Sequence, residues 1–169
     1  MAKKKSKNKK KKKGKDKEFD DDVLEIRRVT RVVSGGKRMS FRATVVVGNR
    51  KGKVGVAIGK GTDVADSIRK AKNRAKKQMI KVPLKDNRTV PYDVDVKKGA
   101  AEIRLKPVPE GHGLIAGGAA RVVLDLAGVK DISAKLLGGT NNKLNNARVT
   151  VEALRRFEHL LDDKKDKKK

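Results

Sequence analysis

The sequence predicts an α+β fold in two parts: a three-stranded antiparallel sheet followed by a helix, then a two-layer arrangement of strands and helices. Three observations carry this. Between residues 25 and 60, short segments rich in Val, Ile and Thr are punctuated by Gly, as strands and tight turns are. Two later stretches repeat apolar residues at three- and four-residue steps, the period of a helix packed by one face. The charge is also uneven. Among 169 residues of net charge +26, residues 1–17 carry +10, 18–26 carry −5, 27–88 carry +16, 89–163 carry +1 and 164–169 carry +4. Four segments follow: a basic N-terminal arm over 1–22, a domain over 23–88, a second domain over 89–163 and a basic tail over 164–169. The lysine-rich ends have nothing to bury and are expected to be disordered.

In the first domain, residues 26–33, 40–47 and 54–60 are expected as the strands of a meander, joined by glycine turns over 34–38 and 48–52. In the middle strand Phe41, Ala43, Val45 and Val47 alternate with Arg42, Thr44 and Val46, so one face should be buried and the other partly polar. Asp20, Asp21 and Asp22 are expected to separate the arm from the fold. Thr62 offers an N-cap to a helix with the apolar stripe Val64, Ile68, Ala71, Ala75 and Met79. The remaining cations, from Arg69 to Lys77, have almost no acids interleaved to pair with them. Their repulsion calls for a partner outside the chain.

Residues 82–91, with Pro at both ends, read as a linker. In the second domain, residues 92–96 and 101–107 read as strands, 110–118 as a glycine-rich turn and 119–126 as a helix with Gly128 at its C-cap. Residues 129–136 read as extended. Leu144, Ala147, Val151, Leu154, Phe157 and Leu161 make the stripe of a last amphipathic helix.

Most chemistry is excluded by what is missing. There is no Cys, hence no disulfide framework, thiol nucleophile or thiolate metal site, and a reducing cytoplasm is the expected compartment. No apolar run approaches the roughly 18 residues that cross a bilayer. A phosphate-binding loop needs four residues between its glycines and a hydroxyl after the Lys. Gly48 to Gly52-Lys53 and Gly55 to Gly59-Lys60 have three and no hydroxyl. Gly111-His112-Gly113-Leu114-Ile115-Ala116-Gly117 is one residue too long for a dinucleotide fingerprint, and these glycine-rich loops are better explained by turns and close backbone approach to a partner. His112 and His159 lack ligand neighbours, and no serine has an evident base. No catalytic site, metal, cofactor, small-molecule substrate or membrane contact is expected.

A large anion remains, and nucleic acid fits the basic half. The aromatics are only Phe19, Phe41, Tyr92 and Phe157, the last three at expected core positions, so base stacking should not dominate. Folded or double-helical RNA, read through phosphates and 2′-hydroxyls, suits the pattern better. The expected RNA contacts are Arg28, Arg31, Lys37, Arg38, Arg42, Arg50, Lys51, Lys53 and Lys60 on strands and turns, and Arg69, Lys72, Arg74 and Lys76 on the helix.

Residues 31–43, RVVSGGKRMSFRA, and 45–60, VVVGNRKGKVGVAIGK, resemble the opening of the bacterial-type small-subunit ribosomal protein S5 family. Residues 110–121, EGHGLIAGGAAR, and 126–131, LAGVKD, match that family's second half in order and spacing. The resemblance implies a first domain like a double-stranded-RNA-binding fold, and a structural place in the small ribosomal subunit on 16S-type rRNA. It further implies a role in subunit assembly and translational accuracy, near the mRNA-entry channel and beside proteins S-three, S-four and S-eight. Residues 29–38 would contact rRNA and bear on spectinomycin sensitivity. Gly113, Leu114, Ile115, Gly117, Gly118 and Arg121 would form the face towards S-four. The alternative, a free-standing double-stranded-RNA-binding protein, leaves residues 110–131 without a purpose.

Overall fold

The computed structural model describes residues 18–158. The expected disordered arm over 1–17, the basic tail, His159 and Leu161 lie outside the described residues. The first domain runs β1 (Asp20–Val33), β2 (Gly36–Gly48), β3 (Lys53–Gly61), α1 (Val64–Lys77) and β4 (Ile80–Lys81). The second runs β5 (Val94–Lys98), β6 (Ala101–Pro107), β7 (Leu114–Ala116), α2 (Gly118–Ala127), β8 (Ile132–Leu136) and α3 (Lys143–Arg155). The sheets are ordered β1-β2-β3-β4, all antiparallel, and β5-β6-β8-β7, with β7 parallel to β8. The α+β architecture in two parts is as expected.

Glycine and small residues determine how the first domain packs. On β3, Gly55, Ala57, Gly59 and Gly61 fall on one face, and the small side chains Ser67, Ala71 and Ala75 of α1 are all buried. Helix and strand backbones therefore approach closely. A Cβ on Gly59 would lie 2.1 Å from the Ser67 carbonyl oxygen, and one on Gly55 2.6 Å from that of Ala75. The partner these strand glycines approach is the chain's own helix. Ala43, Val45 and Val47 of β2 complete this core.

The opposite face of the sheet is partly polar as expected at one end, where Arg42 and Lys60 lie, but is buried towards the other. Thr44 and Val46 are 2% and 0% exposed, because α2 and α3 cover β2 and β3 there, and Val46 and Val54 join the core of the second domain. The sequence pattern marks this face as the more polar one; what buries its Thr44–Val46 end is α2 and α3, far along the chain. The contact is tightest at the turn after β2. Arg50 and Gly52 donate backbone N–H groups to the Leu126 and Ala127 carbonyls, at 2.9 and 2.8 Å, satisfying the end of α2. A Cβ on Gly48 would sit 2.1 Å from the Leu126 oxygen. Gly128 closes α2 in the left-handed conformation, φ 87°.

Several boundaries differ from expectation. The aspartates Asp20 to Asp22 do not separate arm from fold; they begin β1 and pair with residues 46–48. Asp63 rather than Thr62 occupies the N-cap of α1, with no side-chain capping bond. β4 was hidden by its length of two residues, and β7 by its three residues between glycines, too short to show alternation. The linker is not loose, since Val82 and Val90 are buried in the shared core. The turn before α3 is an N-cap: the Asn142 side chain accepts from the Leu144 N–H at 3.1 Å. Of the aromatics expected in the core, Phe157 is fully buried, Phe41 is half-buried and Tyr92 is 41% exposed with its edge on Phe157. Phe19 instead packs on the first core.

Candidate nucleic-acid interface

Antiparallel register decides which cations share a surface, because side chains directly opposite lie on the same face. Arg27 pairs with Arg42, and Arg42 with Lys60, so one rung crosses β1, β2 and β3 with three cations. Two rungs further along, Arg31 stands opposite Arg38. Like charges placed directly opposite destabilise a sheet. Only Arg27 has a counter-ion, Glu25 at 2.8 Å; Arg31, Arg38, Arg42 and Lys60 have none among the described residues. Beyond the end of β3, residues 29–33 and 36–40 continue as a two-stranded ribbon, roughly 17 Å long at the usual strand rise. It carries Arg31, Lys37 and Arg38, all exposed, with Val32 bare between them.

Because β4 pairs only with Lys53 and Val54, the edge of β3 stays open towards Gly61. A groove runs over this edge to α1, and its charged lining is Arg42, Lys60, Lys70, Arg74 and Lys77, with no acidic residue. The Arg74 guanidinium donates to the Ile58 carbonyl at 3.0 Å, which fixes it at the groove. Lys70 is shared with Asp66 at 2.6 Å. Lys70 and Arg69 together hold the Asp66 carboxyl below its ordinary value.

The helix thus splits its expected contacts. Lys70, Arg74 and Lys77, at i, i+4 and i+7, share the groove face, and only Arg74 of these was expected; helical spacing alone groups them. Arg69, Lys72 and Lys76 lie on the side towards Phe19 and Asp21. Lys72 pairs with Asp21 at 2.8 Å, and the Lys76 ammonium stands 5.8 Å from the Phe19 ring centre. The start of β1 therefore supplies part of the compensation expected from a partner outside the chain. Arg50 is likewise engaged, by Asp20 at 3.2 Å and Asp125 at 3.4 Å. Its neighbours Lys51 and Lys53 have their backbone N–H groups held by the Asn49 side chain, both at 2.9 Å. Arg28 is exposed on the α1 side of the ribbon's base.

The residues expected to meet a protein do gather in one place. Leu114 and Ile115 lie in β7, an edge strand, and Ile115 is 56% exposed. Gly113 precedes β7, Gly117 and Gly118 open α2, and Arg121 projects exposed from the first turn. The unpaired edge of such a strand is a template for a partner. What holds it in place is Asp131, unassigned by the sequence pattern and only 3% exposed. Its carboxylate accepts from Arg88 Nε at 2.9 Å and from the Gly111 and Gly113 N–H groups at 3.1 Å each. Arg88 also pairs with Glu110, and its carbonyl accepts from the Lys130 and Asp131 N–H groups. The Arg88 guanidinium and, after it, the Gly113 N–H hold the Asp131 carboxyl below its ordinary value.

Replacing Asp131 with Ala leaves the two glycine N–H groups without their acceptor and the Arg88 guanidinium with Glu110 alone. The expected result is a melting temperature lower by about 5–10 °C and faster amide exchange at Gly111 and Gly113. Unchanged exchange would show that Asp131 does not hold the loop. In the intact protein the folded-state pKa lies below the unfolded one, so the unfolded chain binds more protons in that window. Stability therefore falls as pH drops below about 4. Asp66 and Asp95, lowered by Lys70 and by Arg104 respectively, act in the same direction.

Among the described residues no cluster of His, Asp and Glu could hold a metal ion, and no helix is long and apolar enough to cross a membrane. Comparison with known proteins gives the family. Residues 19–83 match the model of "Ribosomal protein S5, N-terminal domain", and residues 96–167 that of "Ribosomal protein S5, C-terminal domain". The chain is similar to the small ribosomal subunit protein uS5c of Cyanophora paradoxa, 48% identical over 89% of this chain and 88% of the relative. It is 47% identical to the uS5 protein of Acaryochloris marina, over 91% and 86%. With the uS5c protein of Emiliania huxleyi it shares 49% identity, over 81% and 86%. Two family models in the order of the two sheets, and relatives nearly half identical over most of both chains, establish that this chain belongs to the ribosomal protein S5 family.

Proposed function

We propose that the chain is a structural constituent of the small ribosomal subunit that binds 16S-type rRNA through the cationic ladder and the groove beside it. The observation that carries this reading is the meeting of Arg42 and Lys60 with Lys70, Arg74 and Lys77 in one acid-free groove. Opposed cations in a sheet are a standing cost, which phosphates placed against them would offset. The relatives are named as small ribosomal subunit proteins, and a structural rather than catalytic role agrees with those names. The first domain would engage folded rRNA as a double-stranded-RNA-binding fold does, through backbone and 2′-hydroxyl contacts. If roughly eight phosphates are neutralised, log affinity for a 16S-type rRNA fragment falls with log salt at a slope of about −6 to −7. Filter binding between 50 and 200 mM salt measures it, and a flat dependence refutes the electrostatic account.

The β7 edge and the first turn of α2 would face protein S-four, with S-three and S-eight as the other neighbours, close to the mRNA-entry channel. On this reading the surface supports assembly and decoding accuracy. Gly117→Glu and Arg121→Glu should then alter misreading in a reporter assay while small subunits still form; unaltered misreading in both would remove the accuracy role.

A further inference from the structure

The rRNA-binding reading names its contacts on the first domain, and the second domain is almost neutral in sum, +1 over residues 89–163. Its charge is nevertheless not evenly spread. Between the end of α1 and α3 lies a cleft whose charged lining is Lys77, Lys98, Arg148, Glu152 and Arg155, four cations to one acid. Arg148, Glu152 and Arg155 occupy i, i+4 and i+7 of α3, one face of that helix. Lys77 lines both this cleft and the groove over β3, so the two adjoin at that side chain. Arg148 has no ion pair among the described residues. Glu152 accepts from Lys98 at 2.6 Å and lies 4.0 Å from Arg155. Lys98 chiefly, and then Arg155, keep its carboxyl below the ordinary value and so charged.

We propose that the rRNA backbone held in the groove continues across this cleft onto α3, where Arg148 and Arg155 hold it, so that both domains grip one RNA. This rests on the rRNA-binding reading. Two features favour a polyanionic backbone over a protein partner. The cations of the groove and those of the cleft adjoin at Lys77. The apolar residues of the cleft, Val56, Met79 and Val151, are half-buried, and the exposed large hydrophobics among the described residues all lie elsewhere. A protein interface is anchored by such residues. The two arginines stand about 10 Å apart along the helix axis, so they would hold separate phosphates. Glu152 opposes the contact by occupying Lys98 and drawing on Arg155.

The test uses the full-length protein and a 16S-type rRNA fragment, with binding measured across salt for wild type and three variants. Arg148→Gln with Arg155→Gln should weaken binding about tenfold at low salt and make the slope shallower by about 1.4. Both side chains are exposed, and the melting temperature should hold. Glu152→Gln should strengthen binding several-fold, a gain that a purely structural role for these residues does not produce. Lys60→Glu reports on the underlying reading. If Lys60→Glu weakens binding while the α3 double variant and Glu152→Gln bind as wild type, the extension is wrong and the groove reading stands. If Lys60→Glu also binds as wild type, the groove reading falls. If the double variant binds rRNA normally but is lost from small subunits, the cleft holds a protein and the proposal is overturned.

Discussion

Gly59→Val is expected to unfold the first domain or leave it only marginally folded. The first atom of any side chain there falls 2.1 Å from the Ser67 carbonyl oxygen and 2.5 Å from the Ala71 nitrogen. Both are backbone atoms of α1, so neither can swing aside. Relief requires α1 to lift by more than about 1 Å, which also opens its packing against Gly55, Ala57 and Gly61. Overpacking of this kind costs about 3 kcal/mol or more, a large part of the roughly 5–15 kcal/mol that stabilises a domain. The expected melting temperature is lower by at least about 6–12 °C, with amide protection in α1 lost first. Gly59→Ala should show most of the effect, because the collision begins at Cβ. Gly35→Ala is the control: a Cβ there meets nothing within 4 Å. If Gly59→Ala melts like Gly35→Ala, the close-packing account is wrong.

Lys60→Glu should move stability and RNA affinity in opposite directions. Lys60 stands opposite Arg42, which stands opposite Arg27. A carboxylate in place of the ammonium turns a repulsive rung into an attractive one. The gain is about 0.2–1 kcal/mol for a cross-strand pair, at the lower end because both groups meet solvent. The melting temperature should rise by a degree or two, and the rise should shrink in high salt. Binding to a 16S-type rRNA fragment should weaken about tenfold to a hundredfold, the scale expected when a charge-assisted hydrogen bond to phosphate is replaced by repulsion. A variant that is both less stable and a weaker binder would point to damage to the fold, and one that binds normally would remove Lys60 from the interface. The opposed signs express a common trade: a binding surface holds like charges together at a cost to the free protein, and the ligand offsets it.

Much of the architecture was legible because its signals are local. Strand composition, glycine turns, the α2 C-cap at Gly128 and the stripes of α1 and α3 each depend on residues within about a turn or a strand length of one another. Elements of two or three residues, β4 and β7, carry no periodicity and left no trace. The site was legible in composition and partly in membership. Of the ladder residues, Arg31, Arg38, Arg42 and Lys60 are expected contacts and Arg27 is not; Lys70 and Lys77 of the groove are likewise missing from the expectation, which includes Lys72 and Lys76 instead. Nothing near Lys72 in the sequence says that Asp21, some fifty residues earlier, lies beside it. The role of Asp131 was invisible for the same reason, since Arg88 is 43 residues away from it.

By itself, then, the sequence determined the α+β class, the family pattern and the half of the chain that carries the net positive charge, because composition and short-range spacing suffice for these. Tertiary structure alone decided which cations act together. Strand register put Arg42 and Lys60 in one rung, the glycine face of β3 drew α1 close enough for Arg74 to join them, and the second domain closed over the other side of the sheet. Each of these depends on contacts between distant residues, where charge already counted in the sequence acquires a position and becomes either compensated, as at Lys72, or available to a partner, as at Lys60.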